Sequence, residues 1–138
     1  MDENMQAEEN MQEEPSVRWS VTDPLGNEIT LYDFTFVNHI ISDHDSKDAA
    51  NRAAIEEQAR FSIAVPRFII KDRKYVGRLK YLDLVDVPEI DEDKIRSFTV
   101  IVDENNAVVT WIPKRSLNEG VTKEEKIYDA RMVAQTRL

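Results

Sequence analysis

The sequence predicts an α+β domain in which an N-terminal strand pair and two helices pack on a four-stranded antiparallel sheet, with a C-terminal helix after it. Helical periodicity in the first half gives way to strand alternation in the second half. The later strand patterns form two consecutive hairpin-like pairs, which is typical of an antiparallel sheet with helices on one side. The 138 residues include no cysteine, so the chain relies on one apolar core without disulfides or thiolate metal sites.

The chain is predicted to divide into three parts. Residues 1–15 carry six acids, no base and no apolar periodicity, and are expected to be a disordered acidic leader. Residues 16–116 form the α+β domain, and residues 117–138 form a C-terminal helical extension. Because the start lacks the features of a signal peptide and no apolar run approaches the ~20 residues that a bilayer requires, we expect a soluble, cytoplasmic protein without a membrane partner.

The N-terminal elements are a strand pair and a helix. Residues 17–21 and 28–32 alternate as strands around a turn that contains Pro and Gly. Asp33 is placed to cap the helix, which continues to His44. At about 100° per residue, this helix has one apolar stripe with two apolar residues at its flank. The stripe is Phe34, Val37 and Ile41, and the flank is Ile40 and Phe36.

A second helix and the sheet strands come next. Residues 47–61 are rich in alanine and predict a helix, and Pro66 ends that region. The sheet strands are predicted at residues 67–71, 75–82, 96–102 and 107–112, with an acidic loop at 83–94. Thr122 and Glu125 match a capping box for a final helix to about residue 135.

Charge is unevenly distributed along the chain, whose formal net charge is −9. Residues 67–80 hold six bases and one acid, whereas residues 83–94 hold six acids and one base. Within the strand predicted at 75–82, Val76, Arg78, Lys80 and Leu82 share one face. A local field of this kind can guide a phosphate chain despite the negative total. The alternative is a solvated strand face beside a solvated loop.

The only two histidines, His39 and His44, lie five positions apart on the first predicted helix. Imidazole is the side chain best suited to move protons near neutral pH. On a continuous helix His44 projects toward the apolar side and His39 away from it, so His44 is the expected groove-lining ring. Each could also be an ordinary core or surface histidine.

Several short segments resemble the phage-associated branch of the barnase, EndoU, colicin and RelE-like nucleases. They are residues 19–26 with 29–31, the helix end 39–44, the basic strands and residues 108–113, and the resemblance spans about residues 17–116. It implies a small metal-independent RNase with histidine on the first helix, a base on the sheet and a hydroxyl on the last strand. The matching positions are His39, His44, Arg78 (or Lys71 or Lys80) and Thr110; Asp43 stands where family members often have arginine.

Metal-free RNA cleavage requires a base for the 2′-hydroxyl proton, a cation for the charge on phosphorus oxygens and an acid for the departing 5′-oxygen. Histidine can be base or acid, Arg78 or a neighbouring lysine can hold phosphate, and Thr110 can donate to a non-bridging oxygen. Thr110 also fits an ordinary strand position, and strand aromatics are often core residues. The substrate-binding residues are predicted to be Lys71, Arg73, Lys80, Trp111, Lys114 and Arg115, with Tyr81 as a second stacking ring.

Two other functions fit the sequence. An acidic binding protein could block a nucleic-acid enzyme by presenting the carboxylates of residues 1–14 and 83–94 in place of phosphates, and the C-terminal helix could contact a protein partner. An inactive nuclease fold could act as a scaffold. No nucleotide cofactor is expected, because the three glycines are scattered, and no metal-ligand spacing or nucleophile-elbow serine is present.

Overall fold

Two antiparallel sheets and a few short helices form the computed structural model, which describes residues 16–41, 52–86, 95–114 and 126–132. The first part contains β1 (Val17–Thr22), β2 (Glu28–Tyr32), α1 (Asp33–Thr35), a π-helix (Phe36–Ile41) and α2 (Glu56–Ala64). The second part contains β3 (Phe68–Lys71), β4 (Leu79–Asp86), β5 (Ile95–Val102), β6 (Val108–Lys114) and β7 (Lys126–Asp129). The α+β class with an antiparallel sheet is confirmed, whereas the arrangement differs from the prediction.

The larger sheet has five strands in the order β6-β5-β4-β3-β7, and all neighbours are antiparallel. β4 and β5 pair over their full length, from Leu79 opposite Val102 to Asp86 opposite Ile95. β1 and β2 form a separate two-stranded sheet, as the strand-pair prediction requires. A single parallel bridge between Thr30 and Ala107 joins β2 to the start of the β6 edge. The two predicted hairpins, β3–β4 and β5–β6, are therefore both present.

The predicted C-terminal helix is wrong over residues 126–129, which form β7. Ile69 of β3 lies opposite Tyr128, and helical turns begin only at Ala130. Ile127 and Tyr128 are residue types that favour strands, and pairing satisfies the backbone groups along the edge of β3. In the described range, the C-terminal extension thus adds a strand to the same sheet. The capping box and the predicted end of the helix lie outside the described residues.

The first helix also departs from its prediction. Only three residues are α-helical before the π-helix, and Tyr32, not Asp33, is the N-cap, without a side-chain hydrogen bond. Phe36 and Ile40 are buried, whereas Phe34 and Val37 of the predicted apolar stripe are about half exposed. The cause is the wider π-helical turn, because its i→i+5 bonding shifts side chains away from the 100° spacing.

The boundaries of α2 and β4 also differ from the prediction. α2 continues to Ala64, and part of its predicted start, residues 47–51, lies outside the described residues. β4 begins at Leu79, so Val76 and Arg78 belong to a turn and do not share a strand face with Lys80. Gly77 has a φ of +85°, which interrupts the strand. Residues 83–86 of the predicted acidic loop continue β4.

The apolar core lies between one face of the larger sheet and the N-terminal elements. Tyr81, Val100 and Trp111 are aligned across β4, β5 and β6 and are fully buried. They belong to one cluster with residues of β1, β2, the π-helix and α2: Trp19, Ile29, Leu31, Phe36, Ile40, Ile55, Ala59 and Ile63. Burial of each large apolar side chain contributes about 1.5–3 kcal/mol, which fixes the N-terminal elements against the sheet.

Glu56 connects β1 to α2. Its carboxylate accepts hydrogen bonds from Arg18 Nε, from Arg18 Nη2 at 3.0 Å and from Trp19 Nε1 at 2.9 Å. The Arg18 guanidinium also stacks 3.8 Å from the centroid of the Phe36 ring, at the start of the π-helix. Burial acts to raise the pKa of Glu56, but hydrogen bonds from Arg18 and Trp19 bring this pKa below its usual value.

Replacing Glu56 with Gln is expected to lower the free energy of unfolding by about 1 kcal/mol at pH 7, because the charged acceptor for Arg18 is lost. Because the pKa of Glu56 is lower in the folded protein than in the unfolded chain, its carboxylate stabilises the fold at pH values above the unfolded-state pKa of about 4.3. This stabilisation is lost as the pH falls through the folded-state pKa of Glu56. Urea unfolding of the parent and of Glu56→Gln at pH 7 and pH 3 measures the difference between their free energies of unfolding. This difference should be smaller at pH 3. Glu57→Gln, which changes a mostly exposed carboxylate paired with Arg60, should be near neutral; equal effects of the two variants would contradict this role of Glu56.

Candidate nucleic-acid interface at the basic hairpin

The end of β3, the following turn and the start of β4 form a surface that we call the basic hairpin, residues 71–80. Lys71, Arg73 and Lys74 are exposed, and Arg78 and Lys80 are partly exposed. These five cations face one carboxylate within the hairpin, that of Asp72. The basic hairpin therefore keeps, in the folded chain, the positive charge expected from the sequence.

Asp72 organises the turn of the basic hairpin. Its Oδ1 accepts hydrogen bonds from the backbone N–H groups of Lys74 at 2.7 Å and Tyr75 at 3.0 Å. Burial acts to raise the pKa of Asp72, but these two bonds and the charges of Lys80 and Arg78 hold the pKa below its usual value. The Asp72 carboxylate is thus used to close the turn, which explains an acid among so many bases.

Arg78 is held by its backbone and by an aromatic ring. Its N–H donates to the carbonyl of Tyr75 at 3.2 Å, and its carbonyl accepts from the N–H of Asp72 at 3.0 Å. The Arg78 guanidinium lies 4.4 Å from the centroid of the Tyr75 ring, and Lys74 Nζ lies 5.4 Å from the same centroid. Tyr75 is 47% exposed. An exposed ring next to two cations places aromatic surface and positive charge together, a combination that suits nucleic acid.

The turn of the basic hairpin packs closely on the β5–β6 turn. A Cβ atom at Gly77 would lie 2.8 Å from the Cβ of Glu104, closer than side chains approach one another. The positive φ and this close approach both favour glycine at position 77. The two turns are therefore placed side by side at one end of the sheet.

A cleft of about 530 Å³ opens beside these turns. Its walls come from the β2–α1 junction, the β5–β6 turn and the start of β6, and Arg78 contributes from the basic hairpin. The lining residues are Tyr32, Phe34, Thr35, Arg78, Asp103, Asn105, Ala107, Val108 and Val109. The Tyr32 and Phe34 rings are stacked, with centroids 6.3 Å apart and an interplanar angle of 29°. The cleft thus combines an aromatic wall with one cationic residue, Arg78.

The four predicted catalytic residues are only partly placed. Arg78 lines the cleft, whereas Thr110 does not; its Oγ1 accepts a hydrogen bond from Arg52 Nη1 at 3.2 Å. The backbone of His39 belongs to the π-helix, but its side chain lies outside the described part, as does the whole of His44. The π-helix is a rare conformation that is frequent at functional sites. The meeting of imidazole, guanidinium and hydroxyl in one cleft stays a prediction.

The predicted stacking rings do not face solvent. Trp111 and Tyr81 have no exposed surface. Trp111 Nε1 donates to the carbonyl of Arg52 at 3.0 Å, and the ring stacks on Trp19 with centroids 6.4 Å apart. The structure therefore places both rings in the core, where no base can reach them. Among the described residues, the exposed aromatic rings are Phe34, Phe61 and Tyr75, none of which the sequence predicted as a stacking ring. The only sequence signal for Tyr75 was its position among bases.

The remaining predicted contacts are distributed as follows. Lys71, Arg73 and Lys80 lie on the basic hairpin. Lys114 ends β6, but its side chain and all of Arg115 lie outside the described residues. Arg52, which was not predicted, is 8% exposed and donates from Nη1 to the carbonyl of Trp111 as well as to Thr110. It thus satisfies backbone and hydroxyl acceptors on β6, an outer strand of the larger sheet.

The acidic segments are described only in part. Asp83 is partly buried on β4, and burial raises the pKa of its carboxyl, although the Leu84 N–H and the Arg67 charge oppose the shift. Such a carboxylate is poorly suited to imitate an exposed phosphate. Residues 1–15 and 87–94 lie outside the described residues. Within the described ranges, no cluster of three or more acidic or histidine side chains could hold a metal ion, and no helix is long and apolar enough to cross a membrane.

The chain matches no protein-family model, no curated protein and no solved structure.

Proposed function

We propose that this domain binds RNA through the basic hairpin and cleaves it without a metal ion, with His39 and His44 as acid and base. The observation that carries the proposal is the presence of five cations on one hairpin, two of which, Lys74 and Arg78, lie over an exposed tyrosine ring, in a chain whose net charge is −9. Charge concentrated in this way against the overall balance favours attraction of a phosphate chain. Tyr75 adds a stacking surface that tolerates any base.

The chemistry uses groups of known capability. One imidazole removes the 2′-hydroxyl proton, the 2′-oxygen attacks phosphorus, and the other imidazole protonates the 5′-oxygen as its bond to phosphorus breaks. The products are a 2′,3′-cyclic phosphate and a free 5′-hydroxyl. Arg78 neutralises charge on the non-bridging oxygens. Thr110 is given no step in this scheme, because it does not line the cleft that Arg78 lines and its hydroxyl accepts from Arg52.

The test is a titration of fluorescent single-stranded RNA with the full chain in chelator, followed by analysis of the RNA for cleavage. We expect the double variant Lys71→Gln/Arg73→Gln to bind roughly 10- to 30-fold more weakly at 0.1 M salt, with a slope of log K against log salt that is shallower by about 1.4. The control, Arg60→Gln/Arg131→Gln, removes two cations from α2 and the C-terminal turn.

Three outcomes decide the proposal. Weaker binding confined to the hairpin variant, with cleavage by the parent, supports it. Equal affinity in the two variants contradicts the assignment of the interface, and absence of cleavage removes the enzymatic part and leaves the inactive scaffold. The alternative of an acidic inhibitor, which the net charge favours, requires affinity for a basic protein and none for RNA, so the same titration separates it.

A further inference from the structure

We propose that the cleft between Phe34 and Arg78 binds one nucleobase of the RNA, with the attached phosphate on the Arg78 guanidinium; this inference rests on the proposed function. A volume of about 530 Å³ is within the range of small-molecule sites and large enough for one nucleotide. The basic hairpin binds the phosphate chain, and the cleft gives the same interface a place for a base.

The aromatic wall supplies the surface on which a base can stack. Phe34 is 53% exposed, although an apolar ring of this size is ordinarily buried. Its partner Tyr32 lies stacked against it, which limits the orientations available to the Phe34 ring. A flat π-surface bound on Phe34 would remove its exposed face from water.

The opposite wall is stiff. Asp103 Oδ1 accepts from the N–H groups of Asn105 at 2.8 Å and Ala107 at 3.0 Å, and the carbonyl of Asn106 accepts from the Thr30 N–H at 2.9 Å. Asn106 has a φ of +63°, a conformation that asparagine tolerates better than most residues. The β5–β6 turn is therefore fixed to itself and to β2. A wall that is already formed loses little entropy when a ligand binds.

Charge sets the direction of the nucleotide. Arg78 is the cationic residue of the lining and attracts a phosphate, whereas the aromatic wall of Tyr32 and Phe34 carries no charge to bind one. The phosphate is therefore expected at the Arg78 end, toward the basic hairpin. The base then lies toward Phe34, where the Asn105 amide and the Thr35 hydroxyl provide donors and acceptors for its edge.

The experiment compares intact RNA with an abasic ribose-phosphate chain of the same length, using the full chain in chelator. Phe34→Ala should bind intact RNA about 5- to 100-fold more weakly and leave the affinity for the abasic chain unchanged, because only stacking is lost. Phe34→Trp should retain the affinity for intact RNA. Phe61→Ala is the control, since Phe61 is 55% exposed on α2 and does not line the cleft. Arg78→Gln should weaken both ligands.

A second measurement separates this inference from the proposed function. Nucleoside monophosphates are titrated while backbone amide chemical shifts are followed, and the shifts should concentrate at Phe34, Thr35 and Asn105. RNA binding with equal affinity in Phe34→Ala and the parent overturns the base site and leaves the proposed function standing. If RNA does not bind but the monophosphates shift the cleft, the base site stands and the proposed function fails. Absence of both signals overturns both.

Discussion

His39→Ala and His44→Ala are each expected to lower the rate of RNA cleavage by roughly 10²- to 10⁴-fold in the presence of chelator. The reason is that general acid or base catalysis by a positioned imidazole contributes a factor of this size. The double variant should lose little more than the worse single variant, because residues that act as a unit are not additive. RNA affinity should change far less than rate, since the basic hairpin is intact. The measurement is single-turnover cleavage of end-labelled RNA.

The control for these variants is Asn38→Ala, which changes an exposed residue of the π-helix next to His39. It should retain the parent rate. In the parent, an acid and a base that both titrate give a rate that rises and then falls with pH. Equal cleavage by the parent and both histidine variants would contradict the assignment of these imidazoles as acid and base. Loss of cleavage in Asn38→Ala as well would mean that the π-helix, not its imidazole, is required.

The strand patterns were predictive where local information decides the structure. The β1–β2 pair and the β5–β6 hairpin match the prediction because alternation with period two and short polar turns are set by residues close together in sequence. β7 could not be predicted in the same way. Its strand conformation depends on β3, more than fifty residues earlier, and no local signal reports an available sheet edge.

In the candidate site too, features set by local sequence were predicted and features set by long-range contacts were not. A positive hairpin followed directly from the charges of residues 67–80, and five of these six cations lie on the basic hairpin. Arg78 was assigned to a strand face, but Gly77 and the Asp72 turn place it at the mouth of a cleft. Phe34 was placed on the apolar stripe of a regular helix, whereas in the structure the flanking residues Phe36 and Ile40 are buried and Phe34 is exposed. Burial of Trp111 follows from long-range packing on Trp19.

Asp23 and Tyr81 form the buried polar contact that joins the β1–β2 turn to the larger sheet. The Tyr81 hydroxyl donates to Asp23 Oδ2 at 2.5 Å, and Asp23 Oδ1 accepts from the N–H groups of Leu25 at 3.0 Å and Asn27 at 2.8 Å. Tyr81 is fully buried and Asp23 is 4% exposed. Burial first, and then the hydrogen bond and charge of Asp23, raise the pKa of Tyr81 well above its usual value. The hydroxyl therefore stays protonated and able to donate.

Asp23→Ala is expected to lower the free energy of unfolding by about 3 kcal/mol, because it leaves the Tyr81 hydroxyl and two turn N–H groups without their acceptor. Tyr81→Phe should cost about 2 kcal/mol, and the double variant should cost about 1–2 kcal/mol less than the two single effects together. Because the pKa of Tyr81 is higher in the folded protein than in the unfolded chain, its hydroxyl stabilises the fold at pH values below the unfolded-state pKa of about 10. This stabilisation is lost as the pH rises above that value. The difference between parent and Tyr81→Phe should therefore narrow above roughly pH 10.

Urea unfolding of the four proteins of this cycle measures the coupling directly. Asp103→Ala is the matched control, because Asp103 closes the β5–β6 turn through the same kind of Oδ1 contacts. Asp103→Ala should lower the free energy of unfolding by about 1 kcal/mol, because in hydrogen-bonded turns of this kind the carboxylate accepts from backbone N–H groups and not from a buried hydroxyl. If Asp23→Ala and Asp103→Ala cost the same, and the cycle is additive, the β1–β2 turn is not anchored through Tyr81. A larger, coupled effect at Asp23 means that the Asp23–Tyr81 contact adds to apolar burial in anchoring the β1–β2 turn to the sheet.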